Sequence, residues 1–153
     1  MNKFMHEAIK EAYIGIENGH GGPFGAVIVK NGKVIGRGHN RVLANNDPTA
    51  HGEIDAIRET CKNLHTYDLS GCTLYTTGEP CAMCLVAAMW ANIEKIYYGA
   101  TIEENAMIGF RDEKFDKLLV NRKKLNHYLE QVDHDECIKL FENYNKMKSK
   151  KIY

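Results

Sequence analysis

Residues 24–38 read FGAVIVKNGKVIGRG, which is two apolar runs separated by Asn31 and Gly32. Both turn residues tolerate positive φ, so the pair predicts a two-residue hairpin turn between strands over 24–30 and 33–38. Ahead of the hairpin, residues 3–18 place apolar side chains at helical spacing, and Gly19 is a typical helix stop. The chain is therefore predicted to begin with a helix and an antiparallel pair of strands.

The rest of the chain alternates predicted helices and strands. In order, the pattern predicts a loop over 39–50, a helix that starts at His51, a strand over 71–77, a helix over 81–91 with Pro80 in its first turn, and a strand over 93–98. The helix after His51 has its apolar face at Ile54, Ile57, Cys61 and Leu64. This order predicts an α/β fold, a three-layer α/β/α sandwich with a central mixed sheet. Residues 134–147 predict a C-terminal helix, whereas residues 101–126 follow no clear period.

The composition is that of one globular domain of 153 residues, 44% of them hydrophobic and 26% charged. No apolar run is long enough to span a bilayer, and no secretory signal precedes residue 20, so we expect a cytoplasmic protein that does not enter the membrane. The 20 basic and 20 acidic side chains balance, which favours a small substrate over a nucleic acid. The odd number of five cysteines argues against a disulfide framework.

Two short segments contain the residues that could bind a metal or transfer protons. Residues 49–53 read TAHGE, and residues 79–84 read EPCAMC. The spacing of Cys81 and Cys84 puts their thiols one helical turn apart, and a helix start favours thiolates. His51 supplies a third ligand from another predicted helix start. One imidazole and two thiolates form the donor set of a catalytic Zn²⁺ that keeps its fourth position for water.

Glu53 gives this predicted site an acid and a base. Positions two apart point away from each other along a helix, but in a first turn both side chains can project past the helix end. We expect Glu53 to take a proton from the zinc-bound water, so that hydroxide attacks an amidine-like ring carbon, and then to protonate the ring nitrogen and the leaving amine. A C-x-x-C alone could also be a redox pair or half of a structural zinc knuckle.

With these motifs the chain resembles the cytidine deaminase-like superfamily, whose zinc deaminases share the H-x-E and P-C-x-x-C pattern. Over most of its length it looks most like the small bacterial guanine deaminases. The shared residues are 21–30, 45–51, 74–76, 79–81, Gly109, Phe110, Asp112 and Tyr153. The resemblance implies Zn²⁺ held by His51, Cys81 and Cys84, and hydrolytic deamination of guanine to xanthine and ammonia.

The same resemblance implies roles for further residues around the base. Asn40 and the Ala50 backbone would bond the edge of the base, and Phe24 and Trp90 would line the pocket and pack on the ring. Taken alone, Phe24 and Trp90 also fit core positions, and Asn40 also fits a side chain that bonds its own turn.

Two residues of the resemblance indicate that guanine is the substrate. Asp112 would accept from the N1–H and the 2-amino group, which guanine presents and adenine lacks. Tyr153 would close the pocket from a neighbouring subunit, because the family forms homodimers that exchange C-terminal segments, here about 110–153. Alone, Asp112 also fits a solvated surface, and a final tyrosine also fits a frayed chain end.

The chain departs from the family pattern at two positions. Gly52 stands where alanine is commoner, and Arg111 replaces an acidic neighbour that is expected beside Asp112.

Other functions stay open on the same chemistry. A tRNA adenosine deaminase acting on a flipped-out base is favoured by the basic stretch 146–151, although the neutral net charge counts against it. Cytosine deamination is a further option. A non-catalytic domain with a structural zinc is the alternative of a different class, and the carboxylate of Glu53 argues against it.

Overall fold

The computed structural model describes residues 2–120, 125 and 128–152, in which helices and strands alternate as far as residue 119. The elements are α1 (Lys3–Glu17), β1 (Gly25–Lys30), β2 (Lys33–His39), α2 (Val42–Asn45), α3 (Gly52–Leu64), β3 (Cys72–Gly78), α4 (Ala82–Trp90), β4 (Lys95–Ala100), α5 (Ile102–Met107), α6 (Asp112–Leu119) and α7 (His134–Lys146). The chain forms two compact units, Met1–Asp116 and Lys117–Tyr153. That residues 110–153 are exchanged between subunits stays a prediction.

The four strands of the first unit form one mixed sheet in the order β2-β1-β3-β4. β1 pairs antiparallel with both β2 and β3, while β3 and β4 are parallel. The turn between β1 and β2 has Asn31 at φ 51° and Gly32 at φ 73°. Positive φ at both residues is the geometry that the right-handed twist of a hairpin favours, so the predicted turn is confirmed.

Helices cover both faces of this sheet. On one face Ile28 and Leu74 pack with Ala56 of α3 and Ala88 of α4, and on the other Val27 packs with α1. Successive side chains of a strand point to opposite faces, so an unbroken apolar run such as 26–29 belongs to a strand buried on both sides. The three-layer α/β/α sandwich is confirmed.

Four details differ from the sequence-based expectations. The loop predicted over 39–50 contains the short helix α2, and residues without a clear period form α5 and α6. Pro80 lies before the N-cap Cys81, not in the first turn of α4. On α3, Ile57, Cys61 and Leu64 of the predicted apolar face are half-buried and pack against the core, while Ala56 and Thr60 are more deeply buried than these residues.

The reason for the buried face of α3 is its close approach to β2. A Cβ at Gly38 would lie 2.3 Å from the Ala56 nitrogen and 2.5 Å from the Gly52 carbonyl oxygen. The backbone of α3 therefore rests directly on the strand, and only small or slender side chains fit between them.

In the second unit, α7 matches the helix predicted over 134–147. Its apolar side chains at Leu140, Phe141 and Tyr144 are exposed. Within the described ranges, no helix combines the length and the apolar character that crossing a membrane requires.

Replacing Gly38 with alanine is expected to lower the free energy of unfolding by about 3 kcal/mol, because the added methyl group overlaps backbone atoms that cannot move independently. Guanidinium denaturation of the zinc-loaded protein measures this change. Lys33→Ala on the exposed end of the same strand is the control and should change stability by less than about 0.5 kcal/mol. Equal effects of the two substitutions would contradict the close contact between α3 and β2.

Candidate metal centre and active site

The three proposed metal ligands lie at the starts of two helices. His51 is the N-cap of α3 and Cys81 is the N-cap of α4, and neither side chain caps its own helix. Both residues have extended backbone, which directs their side chains beyond the helix ends. Cys84 follows in the first turn of α4, where it is buried.

The geometry of these ligands fits a tetrahedral metal. His51 Nδ1 lies 3.6 Å from Cys81 Sγ and 3.5 Å from Cys84 Sγ, and the three ligand atoms lie within 4.8 Å of one another. Zinc–nitrogen bonds of about 2.0–2.1 Å and zinc–sulfur bonds of about 2.3 Å, at tetrahedral angles, imply a nitrogen–sulfur separation of about 3.6 Å. The residues are therefore spaced for Zn²⁺, and two thiolates with one imidazole also favour zinc among the common metals.

Electrostatics prepares one thiol for metal binding. The hydrogen bond from the Cys84 thiol, and then the one from His51, lower the pKa of Cys81 to about 4. Donating that hydrogen bond and being buried raise the pKa of Cys84. The interaction with Cys81 also raises the pKa of His51. Before metal binds, the centre thus holds a Cys81 thiolate with two hydrogen-bond donors around it.

Glu53 is a buried carboxyl beside these ligands. It is 5% exposed, and its Oε1 accepts a hydrogen bond from the Thr76 hydroxyl at 3.1 Å. Burial, followed by the negative charge of Cys81, raises the pKa of Glu53. A bound Zn²⁺ acts in the opposite direction, since its charge favours the carboxylate. A carboxyl with these opposing influences is suited to both accepting and donating a proton.

Gly52 brings the start of α3 against β1 and β2. A Cβ at this residue would lie 2.8 Å from the Phe24 carbonyl oxygen and 3.4 Å from the His39 Cα. The same Phe24 carbonyl accepts from the Asn40 N–H at 2.8 Å. The departure from alanine at residue 52 therefore has a packing reason, and it brings Phe24 and Asn40 close to the ligand-bearing helix.

Asn40 and Ala50 are both buried and both engaged within the chain. Asn40 Oδ1 accepts from the Val42 N–H at 3.1 Å. The Ala50 N–H donates to the Asp47 carbonyl at 3.1 Å, and the Ala50 carbonyl accepts from the Arg41 N–H at 2.8 Å. Carbonyl oxygens have two lone pairs, so those of Asn40 and Ala50 can each accept a second bond. Their contact with a base stays a prediction.

Asp112 is the first residue of α6 and lies within the electrostatic influence of the metal ligands. Burial and the charge of Cys81 raise its pKa, whereas His51 and a hydrogen bond from the Asn105 side chain oppose the rise. Arg111 does not occupy this carboxylate, because its guanidinium lies 5.1 Å above the Phe115 ring. The structure thus brings Asp112 to the site, while its role in recognition stays a prediction.

The two aromatic residues predicted to line the pocket are placed differently. Phe24 packs edge-to-face on Phe110, with ring centroids 4.7 Å apart. Trp90 is the last residue of α4 and is 65% exposed. At about 1.5 Å per residue, the helix carries it roughly 13 Å from Cys81. Trp90 therefore lies away from the metal ligands of its own chain, and its contact with the base stays a prediction. Tyr153 lies outside the described residues.

Thr76 and Asn105 are site residues that the sequence interpretation missed. Thr76 interrupts the buried face of β3, where Cys72 and Leu74 precede it at every second position, and a hydroxyl in such a row was the available signal. Asn105 is buried in α5, whose start at Thr101 and Glu104 forms a capping box. That T-x-x-E pattern could have indicated the helix, although not the contact of Asn105 with Asp112.

Zinc removal is expected to expose one thiol that reacts quickly at pH 6, because the pKa of Cys81 is about 4 in the metal-free site. Labelling is measured in a Cys137→Ser background, since Cys137 is exposed in either state. Cys81→Ser should abolish the fast phase, whereas Cys72→Ser, at a buried cysteine away from the site, should not. An unfolded chain would label slowly at pH 6, so a fast phase cannot arise from unfolding. Absence of a fast phase in metal-free protein whose circular dichroism shows it to be folded contradicts the assignment.

Two relatives with different named activities resemble the chain. It is 50% identical over 109 residues to a guanine deaminase of Bacillus subtilis, covering 71% of this chain and 70% of the relative. It is 37% identical over 145 residues to a tRNA-specific adenosine deaminase of Buchnera aphidicola, covering 95% and 93%. Sequence identity alone therefore leaves the substrate open.

Solved structures extend the comparison. The guanine deaminase of Bacillus subtilis superposes with a TM-score of 0.93 and 41% identity, over 100% of this chain and 99% of that one. The guanine deaminase of Nitrosomonas europaea superposes with a TM-score of 0.67 and 32% identity, over 70% of this chain and 62% of that one. A tRNA:A34 deaminase structure superposes with a TM-score of 0.62 and 46% identity, over 64% of this chain and 75% of that one.

The family model for the cytidine and deoxycytidylate deaminase zinc-binding region matches residues 1–100. This range contains the complete sheet, both ligand-bearing helix starts and the buried Glu53. The chain belongs to the cytidine and deoxycytidylate deaminase family, with zinc as its cofactor.

Proposed function

We propose that this chain catalyses the hydrolytic deamination of guanine to xanthine and ammonia. The observation that carries the proposal is the Asp112 carboxyl at the metal centre, close enough for the charges of Cys81 and His51 to affect its pKa. A carboxylate has two acceptor oxygens, which match the N1–H and 2-amino donors on one edge of guanine. Adenine offers neither donor in that arrangement.

Asn105 supports this role by fixing Asp112. It is 3% exposed, and its side chain is close enough to Asp112 to lower the pKa of that carboxyl by hydrogen bonding. A buried amide that donates to one side of a carboxylate holds the plane of that carboxylate and favours its charged form. The Asp112 oxygens are then pre-oriented as acceptors, and a base that lacks matching donors leaves them unpaired.

Glu53 performs the proton transfers in this proposal. His51, Cys81 and Cys84 would hold the zinc, which when bound would acidify water and so supply the nucleophile at neutral pH. The Glu53 carboxylate accepts the proton of the attacking water, and Thr76 holds Oε1 so that the carboxyl keeps its orientation. Glu53 delivers this proton to the ring nitrogen. It then accepts the remaining proton from the hydroxyl group added to the ring carbon and delivers it to the leaving amine, so that the carbon–nitrogen bond breaks, ammonia departs and a carbonyl remains.

The extent of the structural similarity also supports guanine. The match to the Bacillus subtilis guanine deaminase covers the whole chain, including the part that follows residue 100. The match to the tRNA:A34 deaminase covers 64% of the chain. The residues that would distinguish purines lie in the later part, where the resemblance to guanine deaminase continues.

A tRNA adenosine deaminase is the second candidate, favoured by the 37% identity that extends over 95% of the chain. The balance of 20 basic and 20 acidic residues counts against it, because phosphate binding draws on basic excess. Cytosine is a third substrate with the same amidine chemistry.

We also propose that the protein is a cytoplasmic homodimer whose subunits exchange the C-terminal segment, including Tyr153. The exposed apolar side chains of α4, at Val86, Met89 and Trp90, support self-association. A monomer in analytical ultracentrifugation at micromolar concentration would contradict the dimer.

The proposed activity is tested by ammonia release from zinc-loaded protein supplied with guanine, adenine, cytosine, cytidine or an anticodon stem-loop RNA. Turnover of guanine with little or none of adenine and RNA is the expected result. Turnover of the RNA alone would overturn guanine as the substrate while keeping the zinc chemistry. Glu53→Gln should retain zinc and lose about 10²- to 10⁴-fold in kcat. Unchanged activity in that variant would favour a structural zinc.

Asp112→Asn is expected to lower kcat/KM for guanine by about 10³-fold, because the new amide donor faces a donor of the base. Zinc content should stay unchanged, since residue 112 is not a ligand. Glu103→Gln in the exposed first turn of α5 removes the same charge and serves as the control. Equal kinetics in the two variants would refute recognition by Asp112.

A further inference from the structure

A chain of polar contacts at the end of β2 has no part in the chemistry described above. Its centre is His39, which is 2% exposed. His39 Nδ1 lies 3.2 Å from Glu11 Oε2 on α1, and His39 Nε2 lies 2.8 Å from His20 Nδ1. The two rings stack with an interplanar angle of 12°, and Gly15 of α1 leaves the space that the His39 ring fills.

The contacts continue from His20 through Arg41 and Asp55 back to the backbone of His39. Arg41 Nη1 lies 3.4 Å from His20 Nδ1, and Arg41 Nε donates to Asp55 Oδ2 at 2.9 Å. The same Asp55 oxygen accepts from the His39 backbone N–H at 3.3 Å. The contacts therefore form a closed ring that joins the α1–β1 loop, the end of β2 and the first turn of α3, and Glu11 attaches α1 to this ring through His39. We call it the His39 ring network.

Asn40 lies in the sequence between two residues of this network, His39 and Arg41. The His39 backbone N–H, on one side of Asn40, and the Arg41 side chain, on the other side, both donate to Asp55 Oδ2. The chain is therefore held on both sides of Asn40. The Arg41 N–H also holds the Ala50 carbonyl at 2.8 Å. Both groups that are predicted to bond the edge of the base are thus oriented by the same set of contacts.

Hydrogen bonds, unlike apolar packing, constrain direction as well as distance. An apolar side chain of similar size at residue 39 would fill the same space between α1 and β2 without fixing the rotation of the strand end. A directional constraint matters where a side-chain amide must be aimed at a ligand. The position of the network, immediately around Asn40, matches that need.

We propose that Glu11, His39 and Asp55 are positioning residues, which aim Asn40 and the Ala50 backbone at the substrate base without touching it. This inference rests on the proposed function, since it assumes that these two groups contact the base. Loss of the network should weaken substrate binding more than the chemical step, because the zinc ligands and Glu53 belong to other contacts.

α1 offers a matched pair of carboxylates for the test. Glu7 and Glu11 lie one helical turn apart and both reach β2, Glu7 to Arg37 Nη1 at 2.8 Å and Glu11 to His39 Nδ1 at 3.2 Å. Glu11→Ala is expected to raise KM for guanine about tenfold with kcat changed less than about threefold. Glu7→Ala should leave both constants within about twofold, and Glu11→Gln, which keeps an acceptor oxygen, should restore most of the KM.

A double-mutant cycle with Asn40→Ala separates positioning from general stability. If Glu11 acts through Asn40, Glu11→Ala should raise KM less than about twofold in the Asn40→Ala background, with zinc content unchanged throughout. The proposal is overturned if the effects of Glu11→Ala and Asn40→Ala on KM multiply as independent effects do. It is also overturned if Glu11→Ala lowers kcat while KM is unchanged, or if Glu7→Ala has the same effect as Glu11→Ala.

Failure of the proposed function gives a different result. A wild-type protein that turns over another substrate of the panel, such as the stem-loop RNA, refutes guanine alone, and the cycle is then measured with that substrate. Independent effects in that cycle would overturn the positioning role. Absence of turnover with every substrate would overturn both proposals.

Discussion

The direct contact between the backbone of α3 and the end of β2 is the constraint on which the site depends. Without side chains at Gly38 and Gly52, the first turn of α3 can lie against the strand and against the Phe24 carbonyl. His51 at the N-cap then extends past the helix end toward the start of α4, where Cys81 occupies the equivalent position. Two helix N-termini converge, and their positive ends stabilise the thiolate charge that a metal requires.

This arrangement also forces a carboxyl into the protein interior. Glu53 follows His51 by two residues, so its side chain lies between α3 and β3, where the Thr76 hydroxyl is its partner. Burial of a carboxyl is unfavourable for folding, and one hydrogen bond offsets only part of that cost. The same burial excludes water and raises the pKa, which a proton shuttle exploits. Stability is therefore lowered at the position where catalysis needs an unusual carboxyl.

Sequence patterns predicted those features of the fold that depend on local chemistry. The Asn31-Gly32 turn, the strands and the ligand spacing follow from backbone preferences and from metal geometry, and each is present. On α3 the predicted apolar residues Ile57, Cys61 and Leu64 pack against the core, but periodicity registers large apolar residues and so missed the closer contact made by Ala56 and Thr60. The contact between Asn105 and Asp112 joins separate elements, and no local pattern encodes it.

In the proposed function, the chemistry and the choice between guanine and adenine are divided along the chain. The family model ends at residue 100, after the ligands and Glu53, whereas Asn105 and Asp112 follow in α5 and α6. Relatives that act on different bases can therefore share the first part closely, because water activation and proton transfer are the same for each amidine. Discrimination needs groups that face the N1–H and 2-amino edge, which differs between guanine and adenine. A chain in this family should diverge by substrate in the segment after β4, and the short helices there can change without disturbing the sheet that holds the metal.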